Sequence, residues 1–304
     1  MTDPGNGLQY LDLDFQGVPS VIATAVMEAA GAVALVDPGP TTCLPALRRG
    51  LERMGIGIRD VRALLLTHIH LDHAGVSGTL LRENPDIVVY VHERGAKHMV
   101  DPSKLLESAS RLYGDQMDRL WGRIEPLPAG AVRALAGGER LEVAGRTIDV
   151  AYTPGHAWHH VSYFDAKVGV AFVGDTAGVR IGTSTFIMPP TPPPDIELDT
   201  WRASAARILE WRPERLFLTH FGPSASPAAH FEELLGRLAR FADTARAALR
   251  AGGTDGEQAA AFQNETRAEL LRQMAPDAVR SYELAVPLDH CFMGLARYWR
   301  KRDG

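Results

Sequence analysis

The sequence predicts an α/β fold that is followed by a helical C-terminal extension. Over the first two thirds, apolar runs of strand length alternate with segments of helical period. Between residues 132 and 174, short strands follow one another at hairpin spacing. From residue 227 to residue 300, alanine, leucine, arginine and glutamate dominate and β-branched runs are absent. The pattern favours two sheets packed face to face with helices outside, as one of several α/β arrangements.

The predicted strands differ in their exposure. Residues 8–14 alternate apolar and polar side chains, which is typical of a half-buried strand, whereas residues 61–67 form a mainly apolar run and predict a buried one. The other strand-like segments are residues 20–29, 32–39, 87–92 and 215–220, besides the short strands between 132 and 174.

Helices are predicted between these strands and beyond them. Residues 41–55 begin with threonines and end at Gly55, as a capped helix does. Helical periods also occupy residues 93–121 and 198–211, and the glycine pair at 252–253 together with Pro276 divides the C-terminal part into about three helices. The proline-dense segment 188–195 is predicted to cross the surface as a loop. We therefore predict a catalytic domain over residues 1–222 and a helical extension over 223–304, packed on it.

Composition excludes several classes of protein. With 45% hydrophobic and 23% charged residues over 304 positions, the chain is globular, and no apolar run is long enough for a membrane span. The net charge of -5 argues against a nucleic-acid partner. The first residues show no signal-peptide pattern, so a cytoplasmic location is expected. A single bridge between Cys43 and Cys291 is possible, but in a cytosolic protein both are expected to stay reduced. The expected partner is a small-molecule substrate rather than a membrane, and the oligomeric state is left open, with a homodimer among the options.

Three histidines and an aspartate follow the buried strand 61–67 within six residues. His68 and His70 are two residues apart in an extended chain, so they project to the same side. Asp72 and His73 come just beyond, where the chain has to turn. Imidazoles with a carboxylate suit a divalent metal such as zinc, with iron and manganese as alternatives. The segment therefore predicts a metal site.

Further ligands are expected because one ion held by all four residues is geometrically awkward. His156, Asp175 and His220 each stand at the end of a predicted strand next to a turn. Each is a weak signal alone, but together and in this order they complete a recognisable set.

In these motifs the sequence resembles the metallo-β-lactamase-fold hydrolases, the superfamily that includes glyoxalase II and the lactonases. The resemblance covers residues 8–222 and implies an αββα four-layer sandwich. It implies that His68, His70 and His156 hold one metal ion and that Asp72, His73 and His220 hold another, with Asp175 bridging both. It also implies a supporting role for Asp37, and for His160 a contact near a metal ligand. The seven ligands that the resemblance implies are His68, His70, Asp72, His73, His156, Asp175 and His220.

Two carboxylates among the expected ligands favour a dinuclear metal centre, most simply of zinc. The predicted reaction is attack by a metal-bridging hydroxide on a small ester, thioester or lactone. Asp72 is the predicted catalytic residue, because its carboxylate can also orient the hydroxide. Alternatives are a phosphodiester or phosphotriester hydrolase, which uses the same attack, and a non-catalytic metal-binding module.

The sequence predicts the residues of the substrate pocket less clearly than it predicts the metal ligands. Tyr113, Trp158, Phe186 and Met188 are the predicted pocket residues, although such stripes also occur in ordinary cores. His159 is predicted to pack rather than to line the pocket. His290 is considered as a residue that approaches the site from the extension.

Overall fold

Two six-stranded sheets form the centre of the computed structural model, which describes residues 7–29, 31–182 and 184–303. The first sheet has its strands in chain order. They are β1 (Leu8–Asp12), β2 (Ala23–Ala29), β3 (Ala32–Val36), β4 (Val61–Leu65), β5 (Val88–His92) and β6 (Val132–Leu135). The pairs β1–β2 and β2–β3 are antiparallel, and β3 to β6 run parallel, so this sheet is mixed.

The second sheet is also mixed. Its strands are β7 (Arg140–Val143), β8 (Arg146–Tyr152), β9 (Val161–Asp165), β10 (Val170–Phe172), β11 (Arg215–Leu218) and β12 (Gly222–Ser224). Strands β7 to β10 pair antiparallel, β10 and β11 pair parallel, and β11 and β12 pair antiparallel.

Helices follow and separate the strands. Those of the first part are α1 (Leu44–Arg53), α2 (Leu71–Ala74), α3 (Ser77–Glu83), α4 (Glu93–Val100), α5 (Ser103–Tyr113), α6 (Met117–Leu120) and α7 (Leu198–Glu210). Those of the C-terminal part are α8 (Pro227–Arg250), α9 (Asp255–Gln273), α10 (Pro276–Ala285) and α11 (Leu288–Asp303).

Three apolar clusters hold these layers together. Met27 of β2 and Tyr163 of β9 belong to the cluster between the two sheets. Leu47 of α1 belongs to a second cluster, on the outer side of the first sheet. Ile208 of α7 and Phe231 of α8 pack with residues of β10 and β11 in a third. The order helix, sheet, sheet, helix confirms the predicted four-layer sandwich.

The structure corrects the predicted helix count in two places. The helical segment 93–121 is divided into α4, α5 and α6, because Pro102 and Gly114, which has a φ of +50°, interrupt it. The extension contains four helices within the described residues rather than about three, since the chain also breaks before Pro287. Strand β12 was not predicted. It ends at Ser224, and the predicted domain boundary at residue 222 stays a prediction.

The C-terminal helices pack on the sandwich through specific contacts. A Cβ atom at Gly294 of α11 would lie 2.1 Å from the carbonyl oxygen of Thr191, so the helix touches the proline-rich loop directly and only glycine fits. The Tyr282 hydroxyl of α10 donates to the Phe186 carbonyl at 2.6 Å. Helix α11 therefore packs directly against the loop at residue 191.

None of the helices within the described residues is both long enough and apolar enough to cross a membrane. The predicted cytoplasmic location stays a prediction.

His230 of α8 is a buried neutral histidine. Its Nε2 donates to the Ala177 carbonyl at 2.7 Å, and its Nδ1 accepts from the Ser224 hydroxyl at 3.1 Å. Burial, with a smaller contribution from the Arg180 charge, lowers the pKa of His230 to about 4. As the pH falls below about 6.5, the unfolded chain therefore takes up a proton at this residue before the folded chain does.

We expect His230 to make the metal-free protein less stable as the pH falls. The lowered pKa of His230 contributes its full stabilisation above about pH 6.5, and this contribution is lost as the pH falls toward about 4. Between pH 7 and pH 5, His230 should account for about 2 kcal/mol of the lost free energy of unfolding. Urea unfolding at both pH values should show a loss smaller by this amount in His230→Gln. Equal losses in variant and wild type would contradict the assignment, whatever their absolute stabilities.

Candidate metal centre

The predicted ligands lie together at the carboxyl ends of strands from both sheets. Asp37 follows β3, His68 follows β4, His156 follows β8, Asp175 follows β10 and His220 follows β11. The edge where these strands end is where an α/β fold can gather side chains from distant parts of the chain.

His68, His70 and His156 form one group. The Nδ1 atom of His70 lies 3.0 Å from His68 Nε2 and 3.0 Å from His156 Nε2. Each of the three can offer one ring nitrogen, and these nitrogens lie within 4.8 Å of one another, close enough to bind one metal ion. His68 and His156 are buried.

Asp72, His73 and His220 form a second group. His220 Nε2 lies 3.2 Å from Asp72 Oδ2, and His73 Nε2 lies 3.7 Å from the same oxygen. Asp175 stands between the groups, because its Oδ1 lies 3.2 Å from His73 Nε2 and its Oδ2 lies 3.4 Å from His156 Nε2. The structure thus brings all seven predicted ligands together.

Two atoms of this cluster show that it suits a metal. His73 Nε2 and Asp175 Oδ1 are buried and lie 3.2 Å apart, but neither makes a well-aligned hydrogen bond within the described residues. Unpaired buried polar atoms are costly unless a ligand satisfies them. A set of imidazoles with carboxylates matches zinc, iron or manganese, so the residues fit the divalent ions that the sequence predicts.

Backbone carbonyls orient two of the histidines. Nδ1 of His156 donates to the Pro190 carbonyl at 2.9 Å, and Nδ1 of His220 donates to the Val21 carbonyl at 2.8 Å. A carbonyl only accepts, so each proton resides on Nδ1 and each Nε2 lone pair is left for the metal side.

Asp37 orients His73 by accepting a hydrogen bond from its Nδ1. Its Oδ2 accepts from His73 Nδ1 at 2.8 Å and from the hydroxyls of Thr67 and Thr219, each at 2.7 Å, while its Oδ1 accepts from the Thr67 backbone N–H at 2.8 Å. Asp37 is completely buried and has a φ of +50°, which aspartate tolerates better than most residues.

His160 contacts a predicted ligand through its ring. The His160 and His68 rings stack with centroids 5.0 Å apart, and His160 Nδ1 lies 3.0 Å from the Thr153 hydroxyl oxygen.

Gly174, which precedes Asp175, has a φ of +44°, and a Cβ there would lie 2.4 Å from Thr67 Oγ1. A glycine at this turn is therefore needed to bring Asp175 into the cluster.

Burial and mutual charge set the ionisation of the metal-free cluster. Burial, followed by the charge of His156, lowers the pKa of His70 to about 3. Burial raises the pKa of Asp72, but the His73 and His220 imidazoles outweigh it and hold that pKa at about 2. Burial likewise lowers the pKa of His73, and the Asp175 and Asp72 carboxylates outweigh burial and raise it. The metal-free cluster thus holds ionised carboxylates and a neutral His70, whereas His73 has to release a proton when a metal ion binds.

A cavity of about 240 Å³ opens beside the cluster. Four predicted ligands line it, namely His70, Asp72, His156 and Asp175. Among the predicted pocket residues, the structure places Tyr113 on the cavity wall, where its ring meets the Trp121 ring edge-on with centroids 5.0 Å apart.

The structure places the other three predicted pocket residues elsewhere. Phe186 is buried under the Arg237 guanidinium, whose carbon lies 3.7 Å from the ring centroid, and Met188 is completely buried in the apolar core. Trp158 packs beside Arg94, whose guanidinium carbon lies 5.8 Å from its ring centroid. These side chains serve packing, a role that their residue types equally allow.

Three further histidines line the cavity, namely His98, His159 and His290. His159 was predicted to pack, but it lies on the cavity wall with its ring 5.4 Å from that of His70. His290 approaches from the extension, as the sequence analysis considered, and its Nε2 donates to the Leu112 carbonyl at 3.2 Å. His98 was not expected here, because the residues around it carry no motif that could have identified it.

Comparison with known proteins agrees with this architecture. The family model described as the metallo-beta-lactamase superfamily matches residues 17–220. The chain belongs to this superfamily, and it carries the buried histidine and aspartate cluster described above.

Two similar proteins illustrate the range of relatives. The metallo-beta-lactamase fold-containing protein ST1585 of Sulfurisphaera tokodaii is 31% identical over 180 residues, which are 58% of this chain and 66% of that protein. A hydroxyacylglutathione hydrolase from a Synechococcus strain is 32% identical over 143 residues, 47% of this chain and 43% of the hydrolase. The match thus spans between about two fifths and two thirds of the length of these relatives.

Among solved structures, the metallo-beta-lactamase family protein TTHA1429 of Thermus thermophilus superposes with a TM-score of 0.72. That match covers 98% of this chain and 94% of the other at 23% identity, so it shows a shared fold that includes the C-terminal helices. The crystal structure of ST1585 covers 75% of this chain and 85% of its own, with a TM-score of 0.62 and 27% identity.

Proposed function

We propose that this protein is a metal-dependent hydrolase of a small ester, thioester or lactone. The observation that carries the proposal is the pair of ligand groups with Asp175 between them, beside a cavity of about 240 Å³. Membership in the superfamily and the similarity to hydroxyacylglutathione hydrolases support the same reaction class.

The ligand groups define which residues would hold the ions. His68, His70 and His156 would bind one ion, and Asp72, His73 and His220 the other, with the two oxygens of Asp175 facing both groups. Two divalent ions, zinc before iron or manganese, would supply Lewis acidity and lower the pKa of a water molecule.

The remaining steps fall to side chains of this chain. Asp72 lines the cavity with its side chain 18% exposed, so its carboxylate can accept a hydrogen bond from the attacking water and orient it toward the carbonyl carbon. The bond between that carbon and the leaving oxygen or sulfur breaks, and the leaving atom takes up a proton that derives from the water. The products are an acid and an alcohol or thiol, or a single hydroxy acid when the substrate is a lactone.

The thiol on the cavity wall does not compete with water as the nucleophile. Cys291 lines the cavity, but burial raises the pKa of its thiol to about 11. A thiol with this pKa is protonated at neutral pH and is a poor nucleophile.

The proposal is tested by metal content together with turnover. We expect the reloaded protein to bind two ions per chain and to hydrolyse p-nitrophenyl esters, with activity lost to a chelator and restored by zinc. Parallel assays with S-lactoylglutathione, acyl-homoserine lactones and bis-p-nitrophenyl phosphate compare the ester, thioester, lactone and phosphodiester classes. A metal-loaded protein that turns over the phosphodiester and none of the acyl compounds would refute the proposed bond type. One that turns over nothing would favour a metal-binding module.

A further inference from the structure

The cavity beside the metal cluster carries information about the substrate of the proposed hydrolase. Beyond the four metal ligands, most of its wall comes from α5, from the proline-rich loop, and from the junction of α10 and α11. Most of these side chains are apolar, among them Leu105, Ala109, Trp121 and Val286. A ligand in this space would therefore bury mainly carbon surface.

Apart from the imidazoles of His98, His159 and His290, the wall offers little to bind a negatively charged group. Among the described residues that line the cavity, Lys104 is the sole lysine and no arginine is present. Lys104 is exposed to solvent, and the carboxyl group of Asp195 lines the same cavity. Recognition of carboxylates usually relies on arginine or on several cations, so an anionic substrate would lose hydration here without a matching gain.

The cavity is also small, and contacts between the elements of its wall limit its expansion. Its volume of about 240 Å³ lies below the range of roughly 300–1,000 Å³ that is usual for drug-sized ligands. His290 of α11 donates to the Leu112 carbonyl of α5 at 3.2 Å, and the Thr191 hydroxyl donates to the Cys291 carbonyl at 3.3 Å. The close approach of Gly294 to Thr191 ties the same helix to the loop. These contacts hold three parts of the wall together, which resists expansion around a larger ligand.

We infer that the site selects neutral, compact and largely apolar esters or lactones, and that α5 and α11 set the size limit. This inference rests on the proposed function and narrows its substrate class. It disfavours substrates whose acyl or leaving group carries several carboxylates, such as a glutathione thioester.

The size limit is tested by adding bulk at Ala109. This residue lies on α5, is 8% exposed and lines the cavity. Its neighbour Ser110 is exposed and does not line the cavity. Ala109→Leu therefore fills the cavity, and Ser110→Leu is the matched control on the same helix. For each variant, kcat/KM is measured with p-nitrophenyl acetate and with p-nitrophenyl butyrate on one metal-loaded preparation, so that the ratio is independent of the folded or loaded fraction.

In the wild type, each added methylene should raise kcat/KM about fourfold, so butyrate should exceed acetate by roughly tenfold or more. We expect Ala109→Leu to reduce this ratio to about twofold or less, and Ser110→Leu to keep the wild-type ratio. An unchanged ratio in Ala109→Leu would show that the acyl group does not occupy this cavity and would overturn the inference.

Charge is tested with two esters of nearly the same shape. p-Nitrophenyl hemisuccinate replaces the terminal methyl group of p-nitrophenyl butyrate with a carboxylate. We expect kcat/KM to be at least about tenfold lower for the hemisuccinate. A preference for the hemisuccinate, or for S-lactoylglutathione over neutral esters, would overturn the inference and leave the proposed function standing. Absence of turnover with every ester, thioester and lactone would overturn the proposed function, and the inference with it.

Discussion

Asp175→Ala is expected to abolish metal binding in at least one site and to remove turnover. The two Asp175 oxygens face His73 Nε2 at 3.2 Å and His156 Nε2 at 3.4 Å, one in each ligand group. Alanine removes both oxygens and the negative charge that offsets the repulsion between ions. Loss of groups that merely orient a ligand costs about 10–100-fold, so loss of this ligand should cost more than about 100-fold in kcat/KM.

Metal content by atomic emission and ester turnover, measured on the same sample, check this expectation. Asp86→Ala is a suitable control, since Asp86 is exposed and belongs to neither ligand group. Two bound ions together with activity within about tenfold of the wild type would show that Asp175 does not bridge the groups.

Asp37→Ala should cause the largest loss of stability among single substitutions near the cluster. The buried Asp37 carboxylate accepts four hydrogen bonds, and its removal leaves His73 Nδ1 and the Thr67 backbone N–H without their acceptor. Breaking a buried charged pair by removing one partner costs about 3–5 kcal/mol. We expect the free energy of unfolding of the metal-free protein, measured with urea, to fall by this amount.

A control separates the lost hydrogen bonds from the backbone effect. Asp14 also has a φ of +50° but is exposed, so Asp14→Ala carries the left-handed backbone penalty of about 1–2 kcal/mol without the loss of a buried carboxylate. Equal destabilisation in Asp14→Ala and Asp37→Ala would show that the backbone, rather than the carboxylate, accounts for the effect.

The sequence was most informative where function requires particular residue types at fixed positions. The segment from His68 to His73 is recognisable because a metal site needs several donors in a short span after a buried strand. His156, Asp175 and His220 were predicted because each stands where a strand ends, and the structure brings them to the same cluster. The four-layer arrangement followed from the same motifs, since strand and helix signals alone left several α/β arrangements open.

The sequence says little about the cavity wall, because packing, rather than local sequence, decides which side chains line it. Phe186 and Met188 have the residue types of a pocket wall, but the structure buries them in the core. His290 lies far along the chain from the ligands, and only the packing of α11 against α5 brings it to the cavity. Pro287 was overlooked as a helix break, which is why the extension has one helix more than predicted.

The division of the site along the chain has a consequence for its biosynthesis. All seven predicted ligands lie between His68 and His220, whereas part of the cavity wall comes from residues 285–291. A ribosome therefore releases the complete set of ligands before it releases the last part of the wall. During synthesis, an ion can meet the ligand cluster of the nascent chain while that side of the cavity is still missing.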